Sequence, residues 1–197
     1  NSDLPSPPIL TKIKRNSKTI DVVVAPTKRT NTLILDRLTG EPIYEYVKRR
    51  APTSSVPGEK TNPYQPDLKL PEPFGKNIFE LEDTWSFDKE EERILVEKYS
   101  NYTFGFYEPN QLGRKGIQYN FSGGAEWPGA SVDSAKGIMY ITSSNIINET
   151  ELVETNKDSK ELIPKYISKF KRAKDKYGYP ASKPPWGTVT ALDLNNG

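Results

Sequence analysis

The chain has 197 residues, enough to bury a core, and carries a net charge of +2 from 28 basic and 26 acidic residues, a balance too even for a nucleic-acid footprint. It contains no Cys and no His, which excludes a disulfide framework, thiolate chemistry, and the commonest general base and metal ligand. Apolar residues make up 34% against 17 Pro and 13 Gly; this composition points to a loop-rich β chain, and no apolar run is long enough to span a membrane.

Residues 1–8 form an extended, Pro-rich lead-in, because each residue before a Pro is pushed toward β or polyproline geometry. This opening carries no signal-peptide pattern and reads as the interior of a longer polypeptide. Ile9–Ile13 alternates apolar and polar, Asn16-Ser17-Lys18 reads as a turn, and Ile20–Ala25 is a β-branched run expected to be a strand buried on both faces. Pro26–Asn31 turns into a strand over Thr32–Asp36, and Leu38–Glu41 turns into a fourth over Ile43–Val47. These four strands make one up-and-down blade over residues 1–47.

Residues 48–122 break the rhythm. The stretch 48–80 is dense in Pro and poor in periodicity, and is read as an ordered loop. Ser86–Tyr99 is expected to be a short helix, capped by Ser86 or Asp88, with Glu90, Glu91 and Glu92 in its first turn facing the positive end of the dipole. Residues 100–118 read as irregular chain.

A second blade is expected over residues 123–197. Gly123–Gly129 is a tight loop into a strand at Ala130–Asp133, and Ser134–Gly137 turns into a strand at Ile138–Thr142. A polar excursion follows. Ile163–Lys176 then carries apolar residues at helical spacing (Ile163, Tyr166, Ile167, Phe170, Ala173) and predicts a second helix stopped by Gly178. Thr188–Gly197 supplies the last strand and its turn.

That last segment, Thr-Val-Thr-Ala-Leu-Asp-Leu-Asn-Asn-Gly, repeats the pattern of Asn31–Pro42. Both are alternating strands that end in Asp-x-x-(Thr/Asn)-Gly, where Asp caps the turn through its side chain and Gly supplies a positive φ. A recurring strand-turn-strand unit is a propeller signature. The fold expected is therefore an all-β propeller segment: under two four-stranded antiparallel blades with long Pro-rich loops and two short helices. The second blade lacks its fourth strand. Its open edge invites another chain, so the segment is not expected to be a self-sufficient fold.

Several short motifs then fall into one order: Asp3-Leu4-Pro5; Ala25-Pro26-Thr27-Lys28; Leu35-Asp36-Arg37-Leu38-Thr39-Gly40-Glu41-Pro42; Val56-Pro57-Gly58-Glu59-Lys60-Thr61; Gln65-Pro66; Gly123-Gly124-Ala125-Glu126-Trp127; Gly178-Tyr179-Pro180; and Pro184-Pro185-Trp186-Gly187-Thr188. Together they resemble the pyrroloquinoline-quinone (PQQ)-dependent glucose dehydrogenases of the quinoprotein alcohol dehydrogenase superfamily. The resemblance implies an eight-bladed propeller, with PQQ near the axis and a calcium or magnesium ion whose ligands lie outside this chain. It also implies a sugar or alcohol substrate, a periplasmic setting and a possible membrane-associated quinone acceptor. The remaining blades would come from the same or other chains.

The family's site residues transfer position by position. Lys28 stands where a Lys donates to the quinone oxygens, although by default a turn lysine is simply solvated. Asn1 holds the place of the Asp base, where an amide cannot accept a proton. Thr30 replaces a Gly, and Thr142 replaces a quinone-contacting Asn. Asp3 is read as a structural turn or cap residue. Trp127 is suited to cover a flat cofactor and Glu126 to align a cation, with inter-blade packing as the other reading for Trp127 and the favoured one for Trp186. These departures keep a non-catalytic propeller fragment, serving assembly or binding, in view. A basic face on the second helix (Lys165, Lys169, Lys171, Arg172, Lys174, Lys176) reads as solvation rather than lipid or nucleic-acid binding. Asn101-Tyr102-Thr103, Asn120-Phe121-Ser122 and Asn148-Glu149-Thr150 fit the glycosylation pattern by chance.

Overall fold

The structure is a computed structural model that describes residues 3–121, 123–155 and 164–197. Its strands in chain order are β1 (Ile9–Arg15), β2 (Lys18–Pro26), β3 (Thr32–Asp36), β4 (Tyr46–Arg50) and β5 (Tyr64–Leu68). After helix α1 (Lys89–Ser100) come β6 (Gly116–Tyr119), β7 (Ala130–Asp133), β8 (Ile138–Ser144), β9 (Ile147–Glu154), β10 (Tyr166–Arg172) and β11 (Gly187–Asp193). All strand pairings are antiparallel, in sheets ordered β1-β2-β3, β11-β8-β7, β10-β9-β6 and β4-β5.

The first sheet follows its sequence closely. Asn16 and Ser17 take left-handed φ of 50° and 60°, the twist that a two-residue hairpin between right-twisted strands requires. Ile13, Val22, Val24 and Ile34 point to one face and are almost wholly buried. Val23 between them is only half-buried, so the β-branched run is fully covered on one face rather than on both. Asp36 closes the sheet as its motif predicts: its Oδ1 accepts from the N–H groups of Leu38 (2.8 Å) and Thr39 (3.0 Å), and Gly40 takes φ +76°.

The expected fourth strand does not form in this sheet. Only a single bridge, Leu35 to Pro42, and two bonds, from Asp36 N–H to the Glu41 carbonyl (2.8 Å) and from Ile43 N–H to the Ile34 carbonyl (2.9 Å), extend it. Pro42 has no N–H to offer a ladder, and from Tyr46 onward the chain pairs with β5 instead. The Pro-rich stretch thus holds a strand, and Pro66 is tolerated because the two-stranded ribbon leaves each strand an open edge.

The β11-β8-β7 sheet packs on the first through a shared core. Ile13, Val22, Val24 and Ile34 meet Met139, Ile141, Leu192 and Leu194, with Tyr44, Phe74 and Ala125 between the sheets. Burial of each aliphatic side chain contributes about 1.5–3 kcal/mol. Two Asp turns line up here. Asp193 Oδ1 accepts from Asn195 N–H (2.8 Å), and Asp133 Oδ1 accepts from Ala135 (3.1 Å) and Lys136 (3.2 Å). Gly197 and Gly137 follow at φ +82° and +72°. Asp133–Gly137 is thus a third Asp turn closed by Gly, with Lys136 where the other two have Thr or Asn.

The third sheet departs most from expectation. The predicted helix over 163–176 is strand β10 where it is described; Ile163 lies outside the described residues. Cross-strand charge decides it: Lys169 and Lys171 face Glu151 and Glu149 of β9, with Lys171 Nζ 3.6 Å from Glu149. Spacings of three and four merely coincided with apolar positions on both faces of a strand. The polar excursion is β9, whose Asn148, Glu149 and Thr150 are buried between two neighbouring strands. Lys98 Nζ donates to Glu149 at 2.6 Å, and Thr150 Oγ1 donates to Asn110 at 2.8 Å. The described residues therefore hold one α-helix, not two. The basic face disperses too, since Lys165, Lys171 and Lys176 lie beside Glu154, Glu149 and Asp88. Asn120 and Asn148 are buried, which removes two of the three glycosylation triplets.

Helix α1 covers the third sheet through a second core of Phe79, Leu95, Tyr99, Ile117, Tyr119, Ile147, Ala173 and Ala181. Asp88 caps it, accepting from the N–H groups of Glu90 (3.0 Å) and Glu91 (3.3 Å). The same carboxylate takes Lys176 Nζ at 2.7 Å and the Tyr177 hydroxyl at 2.8 Å, so the cap also anchors the helix to the turn after β10.

One glycine bridges the β1-β2-β3 and β11-β8-β7 sheets. Gly124 N–H donates to the Lys28 carbonyl (2.9 Å), and Ser144 N–H donates to the Gly124 carbonyl (3.0 Å). A Cβ on Gly124 would lie 2.2 Å from Thr30 Cγ2 and 2.9 Å from Asn120 Oδ1. Thr30 itself sits at φ +64°, a backbone that favours glycine and is rare for a β-branched residue. Its hydroxyl donates to the Gly75 carbonyl (2.8 Å) or the Arg29 carbonyl (2.6 Å), and its methyl fills the space that Gly75 and Gly124 leave open.

Two expectations follow from these anchors. Gly124→Ala should destabilise the protein by about 1–3 kcal/mol through overpacking, and Thr30→Gly in that background should recover part of the loss. A denaturation double-mutant cycle reads this coupling, and strictly additive effects would refute the contact. Lys176 first, then Tyr177 and the Glu91 N–H, hold the Asp88 carboxyl well below the usual carboxylate range, while Asp88 raises Lys176. A depressed acid contributes stability above its unfolded value of about 4 and loses it as pH falls through the lower folded value. Hydrogen exchange of the α1 amides should therefore stay constant from about pH 5 to pH 9 once intrinsic rates are removed. Protection should fall in strong acid, and Asp88→Asn should abolish that acid step.

Candidate functional site

The site is built at one end of the β1-β2-β3 and β11-β8-β7 sheets, where β2 ends in the turn Thr27–Asn31. Thr27 N–H bonds the Asn31 carbonyl (2.8 Å), and Thr30 N–H bonds the Thr27 carbonyl (3.1 Å), so this turn is rigid. Lys28 N–H donates to the Asp3 carbonyl (3.0 Å), which lays the N-terminal segment along it. The Lys28 side chain is 19% exposed, and its ammonium stands 3.8 Å from Asp3 Oδ2. That separation is an ion pair but too long for a hydrogen bond. Among the described residues no hydrogen bond holds the ammonium, which leaves it able to donate elsewhere. Asp3 is therefore the partner of Lys28 rather than a cap of its own turn.

The loop Gly123–Gly129 lies against this turn through the Gly124 bond to Lys28. Gly123, at φ +101°, leaves room for the Glu126 carboxylate to fold back over its Cα; a Cβ there would fall 1.8 Å from Glu126 Oε1. Trp127 stands at the tip and is 82% exposed, so among the described residues it packs no inter-blade contact. Trp186, by contrast, packs as its motif suggests. Its indole N–H donates to the Ser182 carbonyl (2.7 Å), and its ring meets Trp85 and Tyr179.

Lys28, Glu126 and Trp127 thus come together on adjoining backbone. Thr142 is two residues before Ser144, which closes the same junction, yet its own side chain is exposed, in register with Val189. The neighbouring Ser143 is the buried one, bonded to the Phe74 carbonyl (3.2 Å) and the Thr188 hydroxyl (2.7 Å). Asn1 lies outside the described residues. Among those described, no three Asp or Glu side chains gather at metal-binding spacing, so Glu126 has no companion carboxylates to complete an ion site.

Sequence reading passed over two further residues. Asn145 is buried and uses every group: Oδ1 accepts from Lys76 N–H (3.0 Å), Nδ2 donates to the Pro185 carbonyl (3.2 Å), and its backbone bonds Trp186 and Ser182. It holds the Pro-rich strap 180–186 to the end of β8. Arg29 is half-buried, with its guanidinium carbon 4.4 Å over the Tyr107 ring. Nothing in the local sequence marks either residue, because each role depends on a loop distant in the chain.

A flat quinone needs a donor cation for its oxygens, a broad apolar surface and close backbone approach. Lys28, whose ammonium has no hydrogen bond among the described residues, the exposed indole of Trp127 and the side-chain-free Gly123-Gly124 pair offer these features on adjoining backbone. The residues fit such a group.

Comparison with known proteins agrees. The model of a family described as the PQQ glucose/ethanol/alcohol dehydrogenase β-propeller domain matches residues 1–197. The glycerol dehydrogenase large subunit of Gluconobacter thailandicus is 28% identical over 225 residues, covering 99% of this chain and 29% of the relative. The quinoprotein glucose dehydrogenase of Escherichia coli K12 is 27% identical, covering 98% of this chain and 26% of the relative. The quinate/shikimate dehydrogenase (quinone) of Acinetobacter baylyi is 24% identical, over 98% of this chain and 26% of the relative. The chain therefore spans between a quarter and a third of these relatives, which are larger proteins. Its all-β architecture, its motifs and the match along its full length establish that it belongs to the β-propeller family of PQQ-dependent glucose, ethanol and alcohol dehydrogenases.

Proposed function

We propose that this chain forms part of the cofactor wall of a PQQ-dependent dehydrogenase that oxidises a sugar or alcohol and passes the electrons to a quinone acceptor. The observation that carries the reading is the state of Lys28: a largely buried cation, fixed by its backbone to Asp3 and Gly124, with no hydrogen bond at its ammonium among the described residues. When bound, PQQ supplies the two-electron acceptor for the carbon being oxidised.

Everything else falls to the protein. Lys28 donates toward oxygens on which negative charge develops, and such a fixed cation in a water-poor site stabilises that charge without reorganising. Asp3, 54% exposed and 3.8 Å away, orients the ammonium without capturing its donors. Trp127 offers a flat face and shields the site from water. Gly124 holds this loop at the Lys28 turn. Thr30 keeps that turn in the backbone geometry a glycine would give it, so this departure from the family pattern leaves the Lys28 platform intact. With a neutral amide at position 1, the proton acceptor comes from another residue of the assembled propeller. A calcium or magnesium ion is held by ligands outside the described residues, the remaining blades complete the ring, and the setting is periplasmic.

In the complete assembly, Lys28→Ala removes a charge-assisted hydrogen bond of about 1.5–3 kcal/mol. Quinone affinity should drop by roughly one to two orders of magnitude, with Lys28→Arg retaining part of it. Equilibrium titration of the cofactor into each variant reads this, and an unchanged affinity for Lys28→Ala overturns the assignment.

A further inference from the structure

Arg29 follows Lys28 in the chain but faces different surroundings. It separates two clefts of about 280 Å³ and 170 Å³, and with Tyr107 it lines both. The larger cleft is walled by amides, among them Asn62, Gln65, Asn110, Gln118 and Asn120, together with Glu108 and Phe121. Nη2 of Arg29 donates to the Asn77 carbonyl at 3.2 Å, and the ring of Tyr107 covers one face of the guanidinium. Stacking occupies the face and leaves the in-plane N–H edge available, and a guanidinium carries five such donors. Among the described residues no carboxylate pairs with it. Burial accordingly pushes its pKa down from the ordinary arginine value, opposed only by Tyr107.

A half-buried guanidinium with no carboxylate partner among the described residues is costly, and fold stability alone does not select it. Two residues in the wall of this cleft, Tyr107 and Asn120, hold φ of 51° and 60°. Non-glycine residues in that region cluster at ligand sites. Asn120 is 5% exposed; its Nδ2 is committed to the Lys76 carbonyl, while its Oδ1, on the Gly124 side, has no partner among the described residues.

From the cleft, the unpaired guanidinium and the amide lining, we infer that this is a binding site for a small polyhydroxylated carboxylate. The carboxylate would lie on the Arg29 fork, a planar bidentate pairing, and the hydroxyls would meet Gln118 and the uncommitted ends of the Asn62 and Gln65 amides, since Asn110 is already bonded to Thr150 and Ser168. Every lining residue named belongs to this chain, so the inference does not rest on the dehydrogenase reading.

The test is calorimetric titration of the quinone-free protein, in which no turnover occurs, with gluconate, with sorbitol as its neutral counterpart, and with inorganic phosphate. Gluconate should bind at least tenfold more tightly than either. Arg29→Gln should remove that preference while leaving sorbitol unaffected. Glu108→Gln, at a half-buried cleft position without disturbing the buried guanidinium, should tighten gluconate several-fold by removing a like charge. Equal binding of gluconate and sorbitol overturns the proposal. Phosphate binding as tightly as gluconate overturns the hydroxylated part and leaves an anion hole. Should Arg29→Gln not fold, an unchanged gluconate affinity in Glu108→Gln is itself enough to refute the site.

Discussion

The architecture depends on one close approach, that of the Gly124 backbone to two other strand ends. Its N–H reaches Lys28 and its carbonyl receives Ser144, so a single peptide segment joins the first sheet to the second. This works only without a Cβ, because Thr30 Cγ2 already occupies the space. Thr30 is itself forced to φ +64°, a conformation costing roughly 1–3 kcal/mol in a non-glycine residue. The surrounding bonds to Gly75 and the shared core hold it there. Local strain and long-range pairing are two halves of one constraint.

From that junction outward, polar and apolar layers alternate. The shared core between the first two sheets is mostly aliphatic, with Tyr44 and Phe74 in it, whereas the third sheet is organised around a buried carboxylate. Glu149 is 4% exposed, and such a charge must be answered. Burial raises its pKa, but the Lys98 bond, the nearby Lys171 and the Tyr102 hydroxyl outweigh burial and leave it lowered overall. The same carboxylate, with burial, drives the Tyr102 phenol up to about 12. The network ties α1, β9 and β10 together, and removing one partner would strand the rest. An insertion between blade strands thus gains its order from charge matching where its apolar content is thin.

Where sequence signals were local, they were sufficient. The alternation of β1, the Asn16-Ser17 turn, the Asp36 and Asp193 turns and the cap of α1 each follow from a few adjacent residues, and each is present as read. The failures share a cause. Tyr166–Arg172 has apolar spacing compatible with a helix and is a strand because β9 offers Glu149 and Glu151 opposite its lysines. Glu149 itself sits in a run too polar to suggest burial. Ile43–Val47 lost its sheet to a partner beyond a Pro-rich loop. Lys28 was singled out by a motif, but Arg29 was not, because its partners Asn77 and Tyr107 lie 48 and 78 positions further on.

The two cations of the Thr27–Asn31 turn show how one rigid element serves two environments. Lys28 is set beside Asp3, at a distance that tempers its charge without using its donors. Arg29 receives only a carbonyl and an aromatic face. A flexible turn would let both side chains reach water, and neither would stay uncompensated. The bonds within the turn and the Thr30 geometry prevent that escape. Rigidity imposed by the junction therefore holds two ordinary basic residues in fixed positions, and the roles proposed for both rest on that fixity.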